Sequence, residues 1–222
     1  MIKISPRLEA IATLVPINSN VIDIGCDHGL LDIYLYQKRI SPKIIASDIN
    51  SLALNNAKEN IKRNHLEGII ETRLGNGLDS LNQEDNIDTI IISGMGANTI
   101  IGIIKNNTKK LSNISTIIIQ SNTKNELIRK EITKIGYQIN EEQIVKDNNK
   151  IYIIIRFIKA AKKTKHTSKE LYFGPILLEK DSLLFKEYQK AELKKLLIIK
   201  KMIPKNKILE RYKINKIIKL YK

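Results

Sequence analysis

The stretch Asn20-Val21-Ile22-Asp23-Ile24-Gly25-Cys26-Asp27-His28-Gly29 decides how this chain folds. Three β-branched apolar residues around one aspartate predict a buried strand over residues 20–24. Gly25 follows the strand directly. A glycine there lets the backbone turn sharply and lets a ligand approach where a Cβ would intrude. Gly29 then opens a helical segment predicted over residues 29–38.

The same strand-then-helix alternation repeats outward from this point. Further strands are predicted over residues 43–47, 69–74, 87–92 and 115–120, and a closing pair over 137–146 and 150–158. The pair is joined by Asp147-Asn148-Asn149, a hairpin-type connection. Helices are predicted over residues 51–64, 97–106 and 124–135. The first of these has Leu52, Ala53, Ala57 and Ile61 at helical spacing after Asn50, a residue suited to cap it. The first, second, fourth and fifth strands are nearly all isoleucine and valine. Strands buried on both faces have this composition, which places helices on each side of a parallel sheet. The expected architecture is a Rossmann-like, doubly wound α/β domain that closes with an antiparallel hairpin.

Composition is globular, with 42% hydrophobic and 27% charged residues in 222, and argues against disorder. The longest apolar runs, Thr89-Ile90-Ile91-Ile92 and residues 151–155, fall far below the roughly 20 residues a membrane span needs. The opening Met1-Ile2-Lys3-Ile4-Ser5-Pro6 has neither a long apolar core nor a small-residue cleavage site. Cys26 is the single cysteine, so neither a disulfide framework nor a multi-cysteine metal site is expected. The expectation is a cytoplasmic protein with no metal and no membrane partner; the oligomeric state is left open.

Charge is unevenly placed. Residues 1–158 hold 19 basic and 17 acidic side chains, whereas residues 159–222 hold 19 and 6. A nucleotide-composition bias raises Lys, Ile and Asn together, but it would not concentrate the excess in the last 64 positions. A basic appendage on a nearly neutral body suits a nucleic-acid binder; the alternative is a solvated helical surface. Two domains follow, 1–158 for the cofactor and 159–222 for a basic, helical, coiled-coil-like appendage. Residues 159–168 read as a polar linker and 171–175 as a short irregular piece. Leu177, Leu184, Ala191 and Ile198 then recur every seven residues, with Tyr188 and Met202 between them. Asp181 and Lys195 fall on the same seam and interrupt it. Pro204 breaks the helix, and Ile208, Tyr212 and Ile218 carry a second one.

Ligands of such sheets bind at the carboxyl ends of the strands. Asp48 stands after the second strand, 19 positions beyond Gly29, where a carboxylate can accept from ribose hydroxyls. Gly75-Asn76-Gly77 follows the third strand and Ser93-Gly94-Met95-Gly96 the fourth. A dinucleotide loop requires a second glycine where Asp27 stands, and a carboxylate there would repel pyrophosphate. It suits an ammonium or sulfonium group instead. S-adenosylmethionine carries both, so Asp23-Ile24-Gly25 reads as the opening of a class I methyltransferase. Cys26 reads as a small packed residue, and His28 as a helix cap or a residue orienting the cofactor.

The residues after the fourth strand lack the Asn/Asp-Pro-Pro-aromatic segment that grips an exocyclic amine, and no cysteine stands ready to attack a pyrimidine. Ser93-Gly94-Met95-Gly96-Ala97-Asn98 is small, and suits a flat base lying close to backbone amides.

With these residues in view, the chain resembles the bacterial tRNA (adenine-22-N1)-methyltransferases. The resemblance is carried by Ile4-Ser5-Pro6-Arg7-Leu8, by Asp23-Ile24-Gly25-Cys26-Asp27-His28 with its unusual Asp-His pair, and by Gly75-Asn76-Gly77-Leu78. Ser93-Gly94-Met95-Gly96, Gln120-Ser121-Asn122 and Phe173-Gly174-Pro175 extend it over nearly the whole chain. The family usually has Asp at Asn76, Gly at Ala97 and Pro at Ser121. The resemblance implies methyl transfer from S-adenosylmethionine to N1 of adenine 22 in the D-arm of tRNA. Gly94, Met95, Gly96 and Asn122 would frame the base. Asp23, Gly25, Asp27, His28 and Gly29 would hold the methionine end of the cofactor, Asp48 with Ile49 the ribose, and Asn76 with Gly77 the adenine. Arg7 would meet the cofactor carboxylate or a phosphate. Lys194, Lys195, Lys200, Lys201, Lys205 and Lys207 would grip the tRNA backbone. The other readings are a methyltransferase of another RNA or a small molecule, and an inactive module that binds cofactor or RNA.

Overall fold

A computed structural model describes residues 1–162 and 164–222. The chain forms two compact units, Met1–Lys165 and His166–Lys222.

The first unit is built on seven strands: β1 (Val21–Ile24), β2 (Ile44–Asp48), β3 (Ile70–Leu74), β4 (Thr89–Met95), β5 (Thr116–Ser121), β6 (Tyr137–Asp147) and β7 (Lys150–Lys159). They form one sheet in the order β3-β2-β1-β4-β5-β7-β6. Neighbours from β3 to β5 are parallel, and β7 runs antiparallel to both β5 and β6. The winding reverses between β1 and β4, which opens a crevice at their carboxyl ends. β1, β2 and β5 are buried along their whole length, as isoleucine-rich strands covered on both faces must be.

Helices α2 (Leu30–Gln37), α3 (Ser51–Arg63), α4 (Ala97–Lys105) and α5 (Asn125–Lys134) fill the predicted gaps. Asn50 caps α3, its side-chain oxygen accepting from the amides of Leu52 at 2.9 Å and Ala53 at 3.4 Å. Two differences from the expected elements bear on the site. An N-terminal helix, α1 (Pro6–Thr13), was not anticipated. Ser5 caps it and Pro6 takes its first position, a start signal that the short helix makes easy to overlook. β4 also continues past Ile92 through Gly94 to Met95.

Beside the sheet, the Arg129 guanidinium on α5 donates to the Glu142 carboxylate on β6 at 2.7 Å, both side chains wholly buried.

In the second unit, α6 (Ser168–Phe173), α7 (Pro175–Lys180), α8 (Leu183–Met202) and α9 (Ile208–Ile218) follow one another. The expected irregular piece at 171–175 is therefore helical on either side of Gly174. Thr167 and Glu170 form a capping box for α6, and Pro175 starts α7. The seven-residue seam is not continuous. Asp181 adopts the left-handed conformation and Ser182 caps a new helix, while Ile198 and Met202 are half or more exposed. The buried apolar side chains of this unit are Phe173, Leu177, Phe185 and Ile214. Phe173 meets Tyr172, Phe185 and Tyr221 edge-on. α8 and α9 pack on each other, and the Arg211 guanidinium donates to the Ile203 carbonyl at 2.8 Å, at the negative end of α8. Among the described residues no helix is long and apolar enough to cross a membrane, and no group of three His, Cys, Asp or Glu side chains could hold a metal ion.

Replacing Arg129 by methionine removes the guanidinium that bonds the wholly buried Glu142 carboxylate. It should destabilise the fold by about 3–5 kcal/mol in urea unfolding, and the double variant Arg129→Met/Glu142→Leu should recover most of the loss.

Candidate active site

The loop after β1 is held by the end of β2. The amides of Gly25 and Cys26 both donate to the Ser47 carbonyl, at 2.8 and 3.0 Å, and the Gly29 amide donates to the Cys26 carbonyl at 2.8 Å. Gly25, Asp27 and Gly29 all have positive φ, at 81°, 51° and 66°. Glycine adopts this region freely; Asp27 is held there by the loop, its amide donating to Asp48 Oδ2 at 3.2 Å. The other Asp48 oxygen accepts from the Asn50 amide at 2.8 Å. Each Asp48 oxygen retains a second lone pair, which is the capacity a ribose diol requires.

The loop after β3 is tied to the same point. The Gly75 amide donates to the Asp48 carbonyl at 3.0 Å, and Ser47 and Ser80 share a hydroxyl–hydroxyl bond of 2.7 Å. Asn76 is exposed and begins the 3-10 turn Gly77–Ser80, with Gly77 packed against Ile103. Asp48 and Leu74 are register partners, and Leu74 and Ile49 are 61% and 66% exposed. Two apolar side chains thus stand open beside the carboxylate, as the faces of an adenine require. Leu74 escaped the sequence reading because it closes an otherwise ordinary strand.

Asp23, on β1, is almost wholly buried. Burial pushes its carboxyl up to about 7, the negative charge of Asp48 adds to this, and the Arg7 guanidinium opposes it. Cys26 is buried too, and burial raises its thiol, so it stays protonated and packs as a small apolar group. His28 does not cap α2: Gly29 occupies the cap position and no side chain bonds there. The imidazole is exposed, with Nε2 3.7 Å from Asp27 Oδ1.

A second cluster lies at the ends of β4 and β5. Gly94 has φ +78° and sits at a break in register, Ser93 facing Gln120 and Met95 facing Ser121. This is a bulge, which bends the strand end while pairing continues. The Gln120 side chain is wholly buried and organises the bulge. Its Oε1 accepts from the Gly94 amide at 3.1 Å and from Arg7 Nη1 at 2.9 Å, and its Nε2 donates to Asn122 Oδ1 at 3.1 Å. Asn122 in turn donates through Nδ2 to the Gly94 carbonyl at 2.6 Å and through its amide to the Met95 carbonyl at 2.9 Å. The Arg7 guanidinium lies 5.3 Å from the Tyr152 ring centroid, and its backbone amide donates to Asp147 Oδ2 at 3.4 Å. Gly96 caps α4 without a side chain, and the Thr123 hydroxyl accepts from the Ala97 amide instead. Ser121 is buried, its hydroxyl donating to the Thr123 carbonyl at 2.7 Å.

The two clusters touch. A Cβ added to Gly25 would stand 2.4 Å from Met95 Cε. Arg7, Asp23, Gly25, Asp27, Gly29, Asp48, Gly94, Met95 and Asn122 are therefore assembled around one crevice. Gln120, Thr123 and Tyr152 were missed as site residues. A glutamine after three isoleucines in a buried strand was the one available signal. The six lysines lie on the second unit, and all but Lys200 are exposed. Lys195 pairs with Glu192 at 2.6 Å and Lys207 with Glu210 at 3.8 Å.

A buried, partly unpartnered Asp23, a cradle of positive-φ glycines and an Asp48 carboxylate with lone pairs to spare fit a nucleoside carrying an ammonium group. With this strand order they define a class I, S-adenosylmethionine-dependent methyltransferase. The profile of the tRNA (adenine(22)-N(1))-methyltransferase family matches residues 21–222, and the chain belongs to that family.

The Bacillus subtilis tRNA (adenine(22)-N(1))-methyltransferase is 29% identical over 154 residues, 69% of this chain and 64% of that protein, so the aligned part spans just under two thirds of this relative. The Mycoplasma capricolum TrmK structure with S-adenosyl-homocysteine is 33% identical, covers 98% of this chain and 96% of its own, and superposes with a TM-score of 0.87. A Streptococcus pneumoniae structure with S-adenosyl-L-methionine is 28% identical, covers 99% and 98%, and has a TM-score of 0.91.

Gly25→Ala should keep the fold, because the new methyl meets only the end of a flexible side chain. It should weaken cofactor binding at least tenfold in calorimetry. Adding Met95→Ala removes the clash but not the positive φ, so stability should return further than affinity does.

Proposed function

We propose that this chain carries out the reaction of its family, methyl transfer to N1 of adenine 22 in tRNA, with the β1 and β2 loops holding the donor and the Gly94 bulge receiving the base. When bound, S-adenosylmethionine supplies an electrophilic methyl group on a sulfonium. Asp23, Gly25, Asp27 and Gly29 bind its methionine end, with Arg7 set to meet the carboxylate. Asp48 takes the ribose, and Ile49, Leu74, Asn76 and Gly77 surround the adenine. His28, exposed at the rim, orients this end of the donor through its contact with Asp27.

Adenine N1 carries an in-plane lone pair and need not lose a proton before it attacks. The residues framing the slot, Gly94, Met95, Gly96 and Asn122, accordingly include no base. Their task is alignment, with the target base out of its stack. The observation that carries this reading is the Gln120–Asn122–Gly94 network. It fixes the Asn122 amide with its Nδ2 on the Gly94 carbonyl and leaves a second N–H and a second carbonyl lone pair for a base edge.

Transfer of labelled methyl to tRNA tests the reading. Wild-type protein should modify tRNA carrying adenine 22 and not the same tRNA with guanine there; equal labelling of both would overturn it. Asn122→Ala should lower kcat by roughly 10- to 100-fold while cofactor affinity holds.

Lys194, Lys195, Lys200, Lys201, Lys205 and Lys207 supply the positive charge for the tRNA backbone in this proposal. Changing them to alanine should raise KM for tRNA and leave the donor's Kd unchanged. The slope of log affinity against log salt should flatten by about 0.7–0.9 for each phosphate that is no longer neutralised.

A further inference from the structure

Two groups that can only donate set the polarity of the acceptor slot. The Gly94 amide and the Arg7 guanidinium both meet the same end of the Gln120 side chain, at 3.1 and 2.9 Å. That end is therefore the oxygen, and the Gln120 amide cannot be turned round. Its nitrogen faces Asn122 at 3.1 Å, so the Asn122 atom that meets it is Oδ1. The Asn122 nitrogen is left to donate to the Gly94 carbonyl at 2.6 Å. Were Asn122 reversed, its oxygen would stand against the Gly94 carbonyl oxygen, and the slot would lose both that bond and its donor. Gln120 is wholly buried, whereas Gly94 and Asn122 are exposed. The network begins and ends on Gly94, and it carries the one-way character of two buried bonds out to a surface that a ligand can reach.

What reaches that surface is one donor beside one acceptor: the second N–H of Asn122 Nδ2 and the second lone pair of the Gly94 carbonyl. Adenine has two edges that complement such a pair. Its Watson–Crick edge sets the N6 amine beside N1, and its Hoogsteen edge sets the same amine beside N7. The proposed chemistry excludes the first, because a hydrogen bond to N1 takes up the lone pair that must attack the methyl group. Guanine has two acceptors, O6 and N7, on the corresponding edge. Its O6 would meet the Gly94 carbonyl with no proton between them, a repulsion that rejects the wrong base.

We propose that Asn122 and the Gly94 carbonyl read the Hoogsteen edge of the target adenine, and that Gln120 is the positioning residue that holds their polarity. Asn122 Nδ2 donates to N7, the carbonyl accepts from the N6 amine, and N1 is left free to face the methyl donor. This rests on the reading of the chain as a methyltransferase of adenine N1 at position 22, and it names the edge by which that base is recognised.

The test replaces a single atom of the substrate. tRNA is joined from synthetic pieces that carry either adenine or 7-deazaadenine at position 22, the latter with C–H in place of N7. The analogue retains the N1 lone pair, so a slower reaction reports the lost hydrogen bond. In single-turnover methylation, wild-type protein should modify the 7-deaza substrate roughly 5- to 100-fold more slowly than the adenine substrate. In Asn122→Ala both should react slowly and at rates within about threefold of each other, because N7 has already lost its partner. Gln120→Glu keeps the oxygen that Gly94 and Arg7 meet and removes the N–H that holds Asn122 Oδ1. There too the ratio of the two rates should fall toward one, a change that a loss of stability alone does not produce. Equal wild-type rates, or a 7-deaza penalty undiminished in Asn122→Ala, overturn the edge assignment; a penalty undiminished in Gln120→Glu overturns the role of Gln120. Should Asn122→Ala not fold or react too slowly to time, the wild-type ratio decides the edge by itself. Absence of methylation on both substrates would instead overturn the functional reading on which the proposal rests.

Discussion

The clamp between the first loop and the end of β2 is the constraint on which the site depends. One carbonyl, that of Ser47, receives two loop amides, and one carboxylate, that of Asp48, receives the amides of Asp27 and Asn50. Hydrogen bonds to a charged acceptor contribute about 1.5–3 kcal/mol each, which is enough to hold a non-glycine residue at positive φ. The clamp exists because β1 and β2 run parallel in a register that pairs Ile24 with Ser47. A slip by one residue would move every side chain to the opposite face and leave the loop without its acceptor. Fold and pocket are one hydrogen-bonding problem here.

The acceptor side is solved differently. Its geometry is carried by one buried amide side chain, Gln120, whose two ends are satisfied by three separate segments of chain. Buried polar networks of this kind rigidify when complete and are costly when a member is missing. In the proposed reaction rigidity is what the chemistry asks for, since the nucleophile arrives ready and the protein has only to aim it. The absence of a general base from the described residues of the slot and the presence of a locked backbone bulge are two aspects of the same economy.

Much of this could be read from the sequence, and the reasons it stopped are physical. Isoleucine runs mark doubly buried strands, and glycines and carboxylates at their ends mark the crevice, so the sheet and the β1 and β2 loops were legible. Gly94 ended the predicted fourth strand because glycine weakens strands in general, whereas a bulge accommodates it without ending the pairing. α1 was missed because eight residues with a weak apolar stripe barely differ from loop. Residues 171–175, where two helices of six residues meet at Gly174, read as irregular for the same reason. The seven-residue seam suggested one long helix, but Asp181 in the left-handed region divides it. His28 was expected as a possible cap on pattern alone, and the loop places it outward. Gln120 was beyond reach because its significance lies in partners distant in sequence. Gln120 meets Arg7 across 113 positions, and no periodicity reports that.

That separation has an effect during synthesis. α1 is synthesised before β6 and β7, yet its Arg7 rests on Tyr152 and its backbone on Asp147, in the last hairpin of the first unit. The parallel core can assemble as each strand arrives, but the wall built by α1 cannot close until β6 and β7 have been translated and paired. A nascent chain that stops short of them therefore has the β1 loop in place before the wall that α1 adds beside Gln120 and Gly94.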